Sequence, residues 1–130
     1  MTALISINQE GHFSEITDDD AVANVLPVGD VASHDQITQL LDQPVVRLQV
    51  DGFADGRGFS VSRQLRLLGF AGVIEVIGDL LPDQLPMAAA SGIDAILIRA
   101  EHAGRCEESH WRLKSGDKNR FGYQRSVAGG

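Results

Sequence analysis

The stretch Asp55-Gly56-Arg57-Gly58-Phe59-Ser60 joins residue types that can hold an anion. Two glycines let the backbone turn tightly and let a ligand approach it closely. The arginine between them supplies a planar fork of donors suited to phosphate, sulfate, sulfite or carboxylate. The segment from about Ser60 onward reads as a helix, whose unpaired N–H groups would point back at the turn. Gly56, Arg57, Gly58 and Ser60 are therefore the candidate anion-binding residues, with Ser60 as the cap. Asp55 and Asp79 are candidates for a general acid/base pair on an anionic substrate. The same residues admit another reading, in which Arg57 pairs with Asp55 or Asp79 and clasps one loop to the next.

Other spacings carry less. The run "GRGFSV" approaches a dinucleotide fingerprint but has Val61 where the third glycine belongs. No Walker lysine follows it, which argues against a nucleoside triphosphate site. His102, Cys106 and His110 are spaced four apart and would share a face of one continuous helix, with Glu101 or Glu107 as a further zinc ligand. Gly104 weakens that helix, so chance spacing is the better reading and no metal is assigned. There is no Ser-His-Asp order and no nucleophile elbow. Phe121, Tyr123 and Arg125 near the end of the chain can stack on bases, but beside an acidic body they fit packing better, as does Trp111.

These residues need elements to place them. Residues 3–7 and 12–16 flank "NQEG" and read as a β-hairpin. Strand patterns follow at 22–28, 45–50, 73–77 and 93–99. Helical patterns lie between and after them, at 33–43, from about Ser60 to Gly69, at 83–92 and at 105–114. Ser33 and Gln36 stand at capping-box spacing, and Pro86 fits only a first helical turn. The alternation predicts an α/β fold: a mostly parallel sheet of about four βα units, half-barrel-like or a small open sheet, with an N-terminal hairpin. Loops 51–59, 78–82 and 99–104 would then share one sheet edge, where sites of such folds lie. One domain spans 1–130: hairpin and acidic loop to 20, a βα core over 21–104, a helix and basic tail over 105–130. A half barrel leaves an apolar face uncovered, which predicts a homodimer.

Composition narrows the function classes. With 43% hydrophobic and 22% charged residues the chain is neither disordered nor fibrous. A net charge of −7 argues against general affinity for nucleic acid or anionic lipid. The charge is uneven: residues 1–104 hold 15 acids and 5 bases, whereas 105–130 hold 3 acids and 6 bases. No apolar run approaches the ~20 residues that span a bilayer, and the first residues lack a signal-peptide pattern. The single cysteine, Cys106, cannot form an internal disulfide. A soluble, cytoplasmic protein is the expectation.

The motifs from Phe53 to Ile98 resemble an uncharacterised bacterial family labelled as an oxidoreductase involved in sulfite reduction. The resemblance rests on Asp55, Gly56, Arg57, Gly58, Phe59 and Ser60, then Arg63, Leu65 and Arg66, then Gly78-Asp79, Asp83-Gln84-Leu85, Gly92 and Asp94, with Tyr123-Gln124 as a closing motif. Where the family often carries Arg-Cys before its glycine, this chain has Ala90 and Ser91. The resemblance implies a setting in assimilatory sulfite reduction. With no flavin, haem, iron–sulfur or nicotinamide motif in the sequence, the reading is an accessory protein that binds a small anion or a sulfite-reduction enzyme and has no redox centre of its own. The alternatives are a small enzyme using Asp55, Arg57 and Asp79, and a purely structural dimer module. No cofactor is named by any motif.

Overall fold

The computed structural model describes residues 4–16, 25–31 and 33–115. Six strands form one sheet: β1 (Leu4–Asn8), β2 (Phe13–Ile16), β3 (Val25–Pro27), β4 (Val45–Gln49), β5 (Val73–Ile77) and β6 (Ala95–Arg99), in the order β2-β1-β6-β5-β4-β3. Strands β3 to β6 are mutually parallel, and β1 runs antiparallel to both β6 and β2. The sheet is thus larger than the four strands of the expected βα units, because the hairpin joins it. The reason lies in β6, where Ile96, Leu97 and Ile98 are all buried and so point apolar groups to both faces. An edge strand of that kind needs a neighbour, and β1 supplies one, setting Ile5 opposite Ile98 and Ile7 opposite Ile96.

Five α-helices are described: α1 (His34–Thr38), α2 (Arg57–Leu67), α3 (Leu85–Ala90), α4 (Ala100–Arg105) and α5 (Glu108–Ser115). Strands laid down in chain order by right-handed crossovers deliver their helices to one face. The core has that form. Val46, Leu48, Ile74, Val76, Ile96 and Ile98 pack with Ile37, Val61, Leu65, Leu85 and Trp111 from the helices. On the opposite face a smaller cluster, Leu4 and Leu97 with Ile16, Ile77 and Ala95, contains strand residues only. Arg47 and Glu75 form a cross-strand ion pair at 2.7 Å between β4 and β5.

Local signals explain the helix ends. Ser33 caps α1 through the expected box, accepting from the Gln36 N–H at 3.2 Å while its own N–H reaches Oε1 of Gln36 at 3.0 Å. The helix stops at Thr38 rather than 43, and Leu40, Leu41 and Gln43 continue as turns that each bond three residues back. Gly69 takes φ +95° after α2, and the Phe70 N–H returns to Leu65 O at 2.9 Å, a left-handed closure that favours glycine. The helix expected over 83–92 divides into a 3₁₀ turn, Pro82–Gln84, and α3, with Pro86 in the first turn of α3. The helix expected over 105–114 is α5, which begins three residues later, at Glu108, and a separate helix, α4, precedes it. Cys106, at φ −120° and ψ 87°, breaks the chain between α4 and α5, so much of the loop expected over 99–104 is helix.

Two joints hold the layers. The hairpin turn lies on α5, where a Cβ at Gly11 would stand 2.5 Å from the Trp111 carbonyl carbon, and Trp111 is fully buried with its Nε1 donating to Cys106 O at 3.0 Å. At the opposite sheet edge from the loops that follow the parallel strands, Arg66 donates to the carbonyls of Phe70, Gly72 and Gly92 and to Asp94 at 2.8 Å. Asp94 also accepts from the Ile74 N–H at 2.9 Å. Arg66, Gly92 and Asp94, all among the resemblance motifs, thereby tie α2 to the starts of β5 and β6. Among the described residues no helix is long and apolar enough to cross a membrane.

Candidate functional site

The loops after β4 and β5 and the end of β6 meet at one sheet edge, as a parallel arrangement requires. The β4 loop is tightly built. Gly52 adopts φ +147°, a conformation that favours glycine, and its carbonyl accepts from the Asp55 N–H at 3.1 Å. The Asp55 carboxylate accepts from the backbone of Asp51 at 3.0 Å and of Arg57 at 3.2 Å. It also receives two guanidinium bonds, Nε of Arg57 at 2.8 Å and Nη2 at 2.9 Å. Its side chain is 8% exposed. The Arg57 hydrogen bond, opposed by burial, holds its carboxyl well below the usual carboxylate range, and Arg57 is raised in return. Arg57 remains 55% exposed, with a long 3.4 Å contact from Nη2 to the exposed Asp51.

Asp79 does not reach Arg57. It bonds Arg99 at the end of β6, accepting from Nε at 2.7 Å and from the Arg99 backbone N–H at 3.2 Å. Burial pushes the Asp79 carboxyl up, but the Arg99 bonds outweigh it and leave the group below its ordinary value. Arg99, like Arg57, is more than half exposed. The edge therefore carries two arginine–aspartate pairs. Both carboxylates are ionised and engaged, which makes them weak bases; what they do well is orient guanidinium groups.

The turn itself differs from expectation. Helix α2 begins at Arg57, not near Ser60, and its N-cap Gly56 has an ordinary φ of −80°. The Arg57 N–H is taken by Asp55, and those of Phe59 and Ser60 return to Gly56 O. The helix start thus faces the chain's own carboxylate. Ser60 is exposed within the first turn and is not the cap. Gly58 is buried, and a Cβ there would lie 2.9 Å from Val50 Cγ1, so this glycine serves the approach of helix to sheet.

A cavity of about 540 Å³ opens at this edge, lined by Asp51, Gly52, Phe53, Ala54, Asp55, Arg57 and Asp79. A second, of about 270 Å³, shares Asp51 and Asp79 as a wall and includes Arg99 on its lining. Three contributors were not among the candidate site residues: Arg99, the exposed Phe53, and Gln84, a resemblance-motif residue whose Nε2 donates to Phe53 O at 2.8 Å and whose Oε1 accepts from the Leu81 N–H. The available signal was positional, since Asp51-Gly52, Gly78-Asp79 and Arg99 all stand where a parallel strand ends. The alternative metal face does not assemble. His102 bonds Leu80 O at 2.6 Å, Cys106 sits at the helix break, and His110 is exposed on the following helix. Among the described residues no three His, Cys, Asp or Glu side chains come together to hold a metal ion. Phe121, Tyr123, Gln124 and Arg125 lie outside the described residues.

A protein-family model described as "Bacterial protein of unknown function (DUF934)" matches residues 25–129. No curated protein and no solved structure matches the chain.

Proposed function

The chain belongs to this bacterial family of unknown function, and on that premise we propose that it is an accessory binding protein of assimilatory sulfite reduction. It takes a small anion, free or presented by a partner enzyme, at the edge formed by Arg57 and Arg99, and has no redox centre of its own. The observation that carries this is the state of the two arginines. Each is gripped from one side by an aspartate, yet each is more than half exposed beside a cavity that shares Asp51 and Asp79. A guanidinium already fixed in place loses little freedom when an oxyanion docks on its open edge. Among the described residues nothing accepts from Nη1 of Arg57 in a hydrogen bond. Sulfite, sulfate and phosphate all suit such a fork. The lone cysteine, Cys106, has no second thiol for dithiol chemistry. The homodimer belongs to the same proposal, its motive being the sheet face that no described helix covers.

The bidentate bond to Asp55 favours a second reading, in which Arg57 is a loop clasp and nothing more. One experiment separates the two. Ligand that binds only the folded state raises the melting temperature, so the wild-type protein is scanned with sulfite, sulfate and phosphate, and Arg57→Ala is scanned beside it. Anion binding predicts a rise that Arg57→Ala loses while its unliganded melting temperature changes little. A wild type indifferent to all three anions, or an Arg57→Ala protein that fails to fold, leaves the clasp.

A further inference from the structure

Phe53 is 59% exposed, and it lines the same cavity as Arg57. An aromatic at the tip of a loose loop would mean little. This loop is fixed at both ends and at its tip: by Asp51 N–H to Asp55, by Asp55 N–H to Gly52 O, and by Gln84 to the Phe53 carbonyl itself. The chain therefore holds the backbone that carries this exposed ring in one place, beside a fixed guanidinium. The cavity volume of about 540 Å³ falls within the roughly 300–1,000 Å³ typical of sites for organic ligands. A bare oxyanion would leave most of that space to waters of about 30 Å³ each.

From this we infer that the ligand of the edge is a planar aromatic or heteroaromatic anion: its ring lies against Phe53 and its acidic group meets Arg57. The inference rests on the anion reading above and names the ligand class of that site. Asp51 and Asp79, on the same lining, accept hydrogen bonds from donors on the ring. Flat rings stack on an aromatic face through offset or edge contacts, which an aliphatic group of equal charge cannot reproduce.

Phenyl phosphate and methyl phosphate carry the same anionic group and differ in the ring. In titrations of the 130-residue protein, phenyl phosphate is expected to bind on the order of ten-fold more tightly than methyl phosphate, the size that one stacked ring gives. Phe53→Ala is expected to bring that ratio close to one, while Phe53→Trp keeps the ratio. Phe53 is exposed, so neither substitution disturbs the core. Methyl phosphate and inorganic phosphate binding as well as phenyl phosphate would overturn the ring inference and leave the anion reading standing. If none of the three binds the wild type, both fall. A ratio that survives in Phe53→Ala places the ring elsewhere and also overturns the inference.

Discussion

Replacing Arg66 by alanine tests the reading that the motif residues distant from the cavity are structural. Its guanidinium, 21% exposed at the side chain, makes five hydrogen bonds: to Phe70 O and Gly72 O at 2.9 Å, twice to Gly92 O at 3.1 and 2.8 Å, and to Asp94 at 2.8 Å. It also lies over the Phe70 ring at 5.5 Å. Alanine would strip three carbonyls and a carboxylate of this donor at once. Each deprived buried group costs about 1–3 kcal/mol, and water entering this partly open edge returns some of it. A loss of about 3–4 kcal/mol follows, which for a chain of this size lowers the melting temperature by on the order of 10–20 °C. Urea unfolding followed by tryptophan fluorescence reads it directly, because Trp111 is the only tryptophan and is fully buried. Arg66→Lys keeps the charge but offers a point where the site needs a fork, so it recovers less than half. A loss under about 1 kcal/mol in Arg66→Ala, the size of an exposed ion pair, would refute the argument.

Three further outcomes are expected. Asp51→Asn tightens anion binding a few-fold, since Asp51 competes for Nη2 of Arg57 through a long 3.4 Å contact; unchanged or weaker phosphate binding by calorimetry would count against the Arg57 site. Acid destabilises the protein: Asp55 and Asp79 have lowered carboxyl pKa values in the folded state, so their contribution is whole above the unfolded value of about 4 and is lost as pH falls toward the folded ones. The urea midpoint of Asp55→Asn should therefore vary less with pH below about 5 than that of the wild type. Gly58→Ala lowers stability by about 1–3 kcal/mol through overpacking, because a Cβ there meets Val50 Cγ1 at 2.9 Å, and thermal unfolding checks it.

Features written in local chemistry were legible in the sequence. Ser33 and Gln36 announce the start of α1, Gly69 closes α2, and the βα alternation implies parallel strands and a shared loop edge. Pairing across the sheet was not legible. Asp79 stands 22 residues after Arg57 and 20 before Arg99, so spacing alone does not choose between them. The register chooses: Ile77 lies opposite Leu97, and two residues further along each strand come Asp79 and Arg99. Gly58 misled for a related reason. A glycine admits a ligand or a neighbouring strand equally well, and only the position of Val50 tells which. The break at Cys106 was hidden because Arg105 to Lys114 has helical composition throughout, whereas the buried Trp111, bonding the Cys106 carbonyl, holds the bend.

The place of β1 in the sheet has a consequence for synthesis. Ile5 and Ile7 pair with Ile98 and Ile96, so β1 waits for β6, the last of the described strands. At about 5–20 residues per second, the hairpin leaves the ribosome several seconds before β6 exists. Through that interval β1 offers an apolar edge with no neighbour, while β3, β4 and β5 can already associate in chain order. β6 lies between the hairpin and the other parallel strands, and α5, made after it, lies against the hairpin turn at Gly11. A nascent chain that ends before β6 therefore lacks the strand on which Ile5 and Ile7 pair.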